Sequence, residues 1–332
     1  MGSEVTSVSG GRATFLVTCY NYGRFVEQAV DSLLGQSYGD IEIIVIDDAS
    51  RDGSGDLLRS RYSSEPKVVL VSHEVNKGHI YSYNEGLAMA TGDYVGVLAA
   101  DDYARSSDAV AAQIAVFQAN PSVGFVYSAH ELVNESGSRM SVSQPFEADY
   151  VSAPGDDFKT LVFSNYVPHS GTLVRRTCHA ALGVYDERLP HSGDWDLWLR
   201  VAANYGVGYL SEPLYAYRIH STNMSHSRVS PAQALDELLL TIDKNFALVQ
   251  RDGNESLASL LPEARRGALF ITFWNDLAHG RRKRSWQGLV SIVRRSPRAV
   301  MQRPFLAGCY RTGFLLLLGP RRFQGVFGGF ND

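Results

Sequence analysis

The chain's first hundred residues alternate short apolar runs with helical stripes across short polar loops, and this alternation limits the fold to a narrow set. Ala13–Thr18 is apolar and β-compatible. After the polar turn Cys19-Tyr20-Asn21-Tyr22-Gly23, apolar residues recur at Phe25, Val26, Ala29, Val30, Leu33 and Leu34, the spacing of a helix face. Ile41–Ile46 reads as a second strand, residues 54–62 as a helix, Val68–Val71 as a third strand and residues 80–90 as a helix. The run from Tyr94 to Ala99 then enters Ala100-Asp101-Asp102. Short continuous apolar runs belong to strands covered on both faces, so the pattern predicts a parallel, doubly wound α/β sheet.

Farther along, Ala109–Gln118 reads as a helix, and residues 123–127, 171–174 and 214–218 as strands. Residues 134–160 are polar and read as an irregular loop. Trp195, Trp198, Leu199 and Ala202 fall at i, i+3, i+4 and i+7, which starts a helix near Asp194. At that spacing the two tryptophans read as core residues rather than a sugar platform. From Pro231 onward the pattern is helical. The organisation expected is a disordered N-terminus over 1–12, an α/β domain over 13–228 and a basic helical region over 229–332.

Apolar residues at 45% and charged residues at 20% describe a globular chain. Cys19, Cys178 and Cys309 are scattered and odd in number, with no metal-ligand spacing, so a reducing, cytoplasmic setting is expected. The sequons at Asn134, Asn223 and Asn254 then carry no weight. Residues 1–12 lack a signal-peptide core, the loose myristoylation pattern at Gly2 is easily met by chance, and Phe314–Leu318 is too short to span a bilayer. The net charge of −4 hides an asymmetry: residues 1–263 carry 18 Lys and Arg against 33 Asp and Glu, residues 264–332 carry 13 against 2.

Polar side chains gather where the first, second and fourth strands end, the edge at which open α/β sheets hold ligands. Adjacent side chains of an extended segment point to opposite faces, so Asp101 and Asp102 are expected to do different work: one facing a hard cation, the other a hydroxyl or an amide. The plain alternative is an acidic turn capping the next helix.

Four features occur in order: Thr18-Cys19-Tyr20-Asn21, Asp47-Asp48-Ala49-Ser50-Arg51-Asp52-Gly53, Asp101-Asp102, and Asp194-Trp195-Asp196-Leu197-Trp198-Leu199-Arg200. Over residues 13–225 this resembles the family-2 glycosyltransferases. The resemblance implies a GT-A fold, Rossmann-like with a mostly parallel doubly wound sheet, here followed by a C-terminal helical extension. It implies inverting transfer of a sugar from a nucleotide-diphosphate donor, most readily a UDP- or dTDP-sugar, to a hydroxyl of a glycan, lipid-linked or small-molecule acceptor.

Carried over by position, Asp194 is the expected general base. Asp102 is the expected ligand of a divalent cation, Mn²⁺ or Mg²⁺, joined by His220 from Tyr217-Arg218-Ile219-His220. Asp101 is expected to meet ribose or sugar hydroxyls. Asp47 or Asp48 accepts from the base's imide, Thr18 and Tyr20 flank the ring with Asn21 beside them, and Asn76 lies near phosphate. Two positions depart from the family: Gly193 stands where Glu usually precedes the base, and Cys19 where proline is common. Gly193 and the 134–160 loop are the expected seats of acceptor handling.

The implied setting is bacterial surface-polysaccharide or glycosylated-metabolite biosynthesis. The basic pairs and clusters Arg265-Arg266, Arg281–Arg284 and Arg294-Arg295 read as packing elements that also contact anionic lipid on the inner membrane face. Nucleic acid is not an expected partner, given the acidic body and the absence of a recognition motif. A nucleotidyltransferase is the rival enzyme class, disfavoured by the lack of an early Gly-rich phosphate loop. A sugar-nucleotide-binding subunit is the rival without catalysis, and it would need no base at Asp194.

Overall fold

A computed structural model describes residues 10–223 and 231–278, with isolated residues between 283 and 293. The chain divides into two compact units, residues 1–226 and 227–332.

In the first unit the elements follow in order as β1 (Ala13–Cys19), α1 (Gly23–Leu34), β2 (Ile41–Asp47), α2 (Ser54–Tyr62), β3 (Val68–Ser72), α3 (His79–Met89) and β4 (Tyr94–Ala99). Then come β5 (Tyr103–Ala104), α4 (Ala109–Ala119), β6 (Val123–Asn134), β7 (Arg139–Ser143), β8 (Tyr150–Val151) and α5 (Phe158–Leu161). The unit closes with β9 (Leu173–Arg175), α6 (Arg176–Leu182), α7 (Gly193–Asn204) and β10 (Gly206–Ile219). One mixed sheet runs β3-β2-β1-β4-β9-β6-β10-β5. Its long ladders, β2–β3, β1–β2, β1–β4 and β6–β10, are parallel. The short β9 pairs antiparallel with both β4 and β6.

The core explains why β1 sits in the middle. Phe15 and Val17 are fully buried in one cluster with Val26, Ala29, Val30 and Leu33 of α1. On the opposite face Leu16 lies against α3, so closely that a Cβ on Gly86 would come within 2.8 Å of it. Each of these side chains contributes roughly 1.5–3 kcal/mol by leaving water, which makes the central strand the firmest part of the sheet.

The structure departs from the sequence reading in three places. β6 and β10 run well beyond the short strands expected. Residues 134–160 are not wholly irregular: β7 pairs with β6 and β8 pairs with β10, their polar side chains fitting an exposed sheet margin. Residues 10–12, expected to be disordered, are tied down. The Arg12 N–H and guanidinium donate to Asp93, Asp40 and Thr91, and the Tyr38 hydroxyl donates to the Gly11 carbonyl.

The second unit contains α8 (Pro231–Arg251), α9 (Glu255–Ala258) and α10 (Leu261–Ala278). Ile242, Phe246 and Val249 of α8 are buried, as are Ala264, Phe273 and Leu277 of α10. Arg265 pairs with Asp243 at 2.6 Å. Apart from Lys283, the basic clusters 281–284 and 294–295 lie outside the described residues, as do residues 1–9 and the apolar run 314–318. No helix among the described residues is long and apolar enough to cross a membrane.

Candidate active site

Strands β1, β2 and β4 run parallel, so their carboxyl ends deliver three polar loops to one edge. The loops after β1 and β2 are locked together. The Asp48 N–H donates to the Cys19 carbonyl at 2.8 Å, the Asn21 N–H to Ser50 Oγ at 2.9 Å, and the Arg51 N–H to Asn21 Oδ1 at 2.8 Å. Asp52 receives the Gly23 N–H at 3.0 Å and so ties the second loop to the start of α1. Asn21 and Ala49 hold φ of 59° and 63°. Among described non-glycine residues these are the positive values, and both fall in this pair of loops. For Ala49 the left-handed conformation costs about 1–2 kcal/mol, a strain held at the site by the surrounding hydrogen bonds.

The two carboxylates ending β2 are not equivalent. Both oxygens of Asp48 are taken: Oδ1 by the Lys77 N–H at 2.8 Å and by His73 Nδ1 at 2.7 Å, Oδ2 by the Gly78 N–H at 2.9 Å. Asp48 thus organises the Asn76-Lys77-Gly78 turn, in which Asn76 Oδ1 accepts the Gly78 N–H at 3.1 Å. Asp47 accepts the Ser50 N–H at 3.2 Å, and its other oxygen lies 2.5 Å from where a Cβ on Gly55 would stand. Asp47 therefore lies against the N-terminal turn of α2, a favourable place for a carboxylate. Tyr20 is 44% exposed on the same edge, while Thr18 hydrogen-bonds the Tyr83 hydroxyl.

Beyond β4 the chain turns, the Asp102 N–H donating to the Ala99 carbonyl at 3.0 Å, and the two aspartates meet different partners. Asp101 Oδ2 is 2.9 Å from His220 Nε2 and 3.3 Å from Asn223 Nδ2. Asp102 turns inward, where its Oδ1 accepts the Arg218 N–H at 2.8 Å and Ser170 also donates to it. Burial, reinforced by the negative charge of Asp101, pushes the Asp102 carboxyl well above the usual range. His220 therefore meets Asp101 rather than Asp102. Its Nδ1 accepts from the Thr222 N–H at 3.3 Å, which makes Nε2–H the donor to Asp101 in the neutral ring. Tyr22, just before α1, and Phe25 of α1 hold the imidazole at centroid distances of 5.6 and 5.1 Å.

Arg218, to which sequence reasoning assigned no role, organises this corner. It is 2% exposed, and its guanidinium donates to the Asp101 carbonyl at 2.8 Å, the Glu135 carbonyl at 2.9 Å and Gln28 Oε1 at 2.6 Å. Its available signal was its place beside His220, in a strand otherwise poor in cations. A carboxylate and an imidazole converging here suit a divalent ion that completes its shell with substrate oxygens and water. Among the described residues there is no cluster of three or more His, Cys, Asp or Glu that would hold an ion alone.

Asp194 occupies the first turn of α7. Its Oδ1 accepts the Trp195 N–H at 2.6 Å and its Oδ2 accepts Asn165 Nδ2 at 3.2 Å. Trp195 and Trp198 are core residues, 4% and 1% exposed, with Trp195 Nε1 donating to the Leu161 carbonyl at 2.7 Å. Below them Arg200 and Asp196 form a buried ion pair at 2.9 Å. Arg200 also donates to the carbonyls of Leu182, Gly183 and Val184 and so fastens α7 to the preceding loop. Tyr83 of α3 and Asp194 line one cavity, and burial pushes the Tyr83 hydroxyl above its ordinary range.

Two cavities flank Asp194. One of about 390 Å³ is lined by residues that include His130, Asn165, Tyr166 and Tyr217. The other, of about 210 Å³, lies between the starts of α3 and α7.

Comparison with known proteins agrees with this fold. The chain is 27% identical over 242 residues to an uncharacterized glycosyltransferase of Nostoc sp., covering 68% of this chain and 69% of that protein. It is 25% identical over 209 residues to the chondroitin synthase of Pasteurella multocida, spanning 63% of this chain but only 21% of the synthase. Among solved structures, S. aureus TarS 1–349 in complex with UDP-GlcNAc matches with a TM-score of 0.60 at 17% identity, over 86% of this chain and 92% of that one. The mannosyltransferase PcManGT from Pyrobaculum calidifontis, in complex with GDP-Man and Mn²⁺, matches with a TM-score of 0.55 at 17% identity, over 96% and 88%. These neighbours share the GT-A fold. The profile described as Glycosyl transferase family 2 matches residues 14–179, from β1 through the aspartate pair to α6, and by that match the chain belongs to this family.

Proposed function

We propose that the protein is a metal-dependent, inverting glycosyltransferase that moves a sugar from a UDP- or dTDP-linked donor to an acceptor hydroxyl. The observation that carries this reading is the pairing of Asp101 with His220 at one end of the site and the placement of Asp194 on α7 at the other. The nucleotide's uracil or thymine would lie at the edge formed by Thr18, Tyr20 and Asn21. Asp47 would accept its imide N–H, since Asp48 is committed to the 76–78 turn.

Asp101 and His220, rather than Asp102, are the pair suited to hold a divalent cation. That ion, Mn²⁺ or Mg²⁺, neutralises charge on the departing diphosphate when bound. His220 would give up its Nε2 proton to act as a ligand, and the Thr222 hydroxyl, 2.9 Å from Nδ1, would then accept from the other tautomer. Asp102 and Arg218 keep Asp101 in position.

Asp194 takes the proton of the acceptor hydroxyl as that oxygen attacks the anomeric carbon from the side opposite the diphosphate. Asn165 orients the carboxylate for this transfer. The 390 Å³ cavity beside Asn165, uncharged and lined partly by tyrosines, suits a glycan, lipid-linked or small-molecule acceptor. A TarS structure holding UDP-GlcNAc and a mannosyltransferase structure holding GDP-Man and Mn²⁺ support a nucleotide-sugar donor and a metal. The chondroitin synthase relative supports a role in polysaccharide assembly.

The test is nucleotide release from a panel of UDP-, dTDP- and GDP-sugars with Mn²⁺, Mg²⁺ or EDTA. Turnover of one donor should disappear with EDTA and fall about 10²–10⁴-fold in Asp194→Asn, the usual contribution of a general base. Undiminished turnover in that variant would sink the assignment of Asp194.

A further inference from the structure

The smaller cavity has an unusual lining for a sugar site. Its walls include Ile80 and Tyr83 of α3, Tyr185 and Pro190 of the loop before α7, and Gly193 and Asp194 of α7. At about 210 Å³ it is smaller than the roughly 300 Å³ at which ordinary small-molecule pockets begin, so it fits one monosaccharide and not a whole sugar nucleotide. It exists because residue 193 has no side chain. A Cβ there would lie 3.1 Å from Ile80 Cδ1, and a longer side chain would fill the space.

The polar atoms around it are largely turned to the protein. His169 Nε2 is hydrogen-bonded to the Tyr185 hydroxyl at 2.9 Å, His79 Nε2 to the Pro190 carbonyl at 2.8 Å, and the Tyr83 hydroxyl to Thr18. Burial pushes His169 down to about 3, so it stays neutral at physiological pH. No Lys or Arg lines the cavity; His79, His169 and His191 share its wall with the carboxylate of Asp194. Carbon surfaces of Ile80, Tyr83, Tyr185 and Pro190 are left to meet a ligand.

We infer that this cavity seats the transferred sugar and selects a neutral one with an apolar edge, a 6-deoxyhexose over its 6-hydroxy and 6-carboxylate counterparts. The inference rests on the reading of Asp194 as the acceptor end of the transfer site, because Asp194 itself lines the cavity. A methyl group would lie against Ile80 at no polar cost. A hydroxymethyl group would lose its water beside ring nitrogens of His79 and His169 that are already engaged. A carboxylate would meet Asp194 with no Lys or Arg on the wall to offset it.

The experiment is calorimetric titration of the full chain, with Mn²⁺ present, by UDP and dTDP alone. UDP- and dTDP-linked 6-deoxyhexose, hexose and hexuronate follow, in the gluco and galacto series, with the same set repeated on Ile80→Thr. The 6-deoxy donor should bind about tenfold or more above its 6-hydroxy partner, since apolar pockets reject an added hydroxyl by at most about 10²-fold. The uronate should bind no better than the free nucleotide. Ile80→Thr keeps a β-branched side chain at the start of α3; it should narrow the deoxy preference while leaving free-nucleotide affinity unchanged. Nucleotide binding without any deoxy preference, or with uronate accepted as well as the neutral sugars, would overturn the inference and leave the transferase reading standing. Failure of both free nucleotides to bind would overturn the two together.

Discussion

Replacing Arg218 with Met tests how the acidic corner is held. Methionine keeps much of the stem that packs on Phe25, where the guanidinium carbon lies 4.6 Å from the ring centroid, so the loss is mainly polar. Three acceptors lose their donor: the carbonyls of Asp101 and Glu135 and Gln28 Oε1. Gln28 and the exposed Glu135 can turn toward water, but the Asp101 carbonyl is left in a buried setting at roughly 1–3 kcal/mol. A loss of about 2–3 kcal/mol follows once the cation–π contact with Phe25 is added. At about 2–4 °C per kcal/mol for a domain of this size, the melting transition should fall by some 4–12 °C. Differential scanning calorimetry of the full chain reads this directly. Titration of UDP with Mn²⁺ should show weaker binding as well, because the Asp101 main chain would lose the donor that holds its carboxylate against His220. A melting temperature within about 2 °C of the parent's, with unchanged Mn²⁺-dependent affinity, would refute the argument.

Three further outcomes are expected. Burial disfavours a cation at His73, but its hydrogen bonds to the carboxylates of Asp48 and Glu85 outweigh it and the pKa is raised. Its stabilising contribution is therefore full below the ordinary histidine range and lost as pH climbs through the raised value. Thermal stability should decline across that window in the parent and stay flatter in His73→Gln; identical profiles would remove His73 as the cause. Asp196→Ala leaves the buried Arg200 without its carboxylate and should cost about 3–5 kcal/mol in denaturant unfolding, against little change if the three loop carbonyls suffice. Gly55→Ala would place a methyl 2.5 Å from Asp47 Oδ2. It should weaken UDP affinity about tenfold or more while the protein still folds, and unaltered affinity would separate Asp47 from the nucleotide.

The nucleotide half of the fold was legible because its strands are covered on both faces and so are written in unbroken apolar residues such as Phe15-Leu16-Val17 and Ile43-Ile44-Val45. Helices α1 and α2 announced themselves by periodicity and by the turns that bound them. β7 and β8 did not, because a strand exposed at a sheet margin carries polar residues like those of a loop. Alternation was the expected reason for Asp101 and Asp102 to part, but β4 ends at Ala99 and a turn closed by the Asp102 N–H on the Ala99 carbonyl sets their directions instead; the inward place of Asp102 depends on Arg218, more than a hundred residues later in the chain. The division of work between Asp47 and Asp48 was equally hidden, since it is decided by backbone N–H groups of residues 77 and 78, which no side chain advertises. The departure at Gly193 was visible from the start, but the room it creates emerged only with Ile80 and Tyr185 around it.

The three-residue β9 joins two longer sets of parallel strands through antiparallel ladders of three and two residue pairs. It is a seam. On one side lie β1, β2 and β4 with the nucleotide loops; on the other lie β6 and β10, with Asn165 and Asp194 on adjoining segments. So few shared hydrogen bonds allow either side to change its side chains without forcing a new register on the other. The family profile ends at residue 179, just past this junction. Asp194, Arg218 and His220 all follow that junction, so exchanging the segment after residue 179 between relatives would carry the proposed base and the histidine that meets Asp101 together with the recipient side.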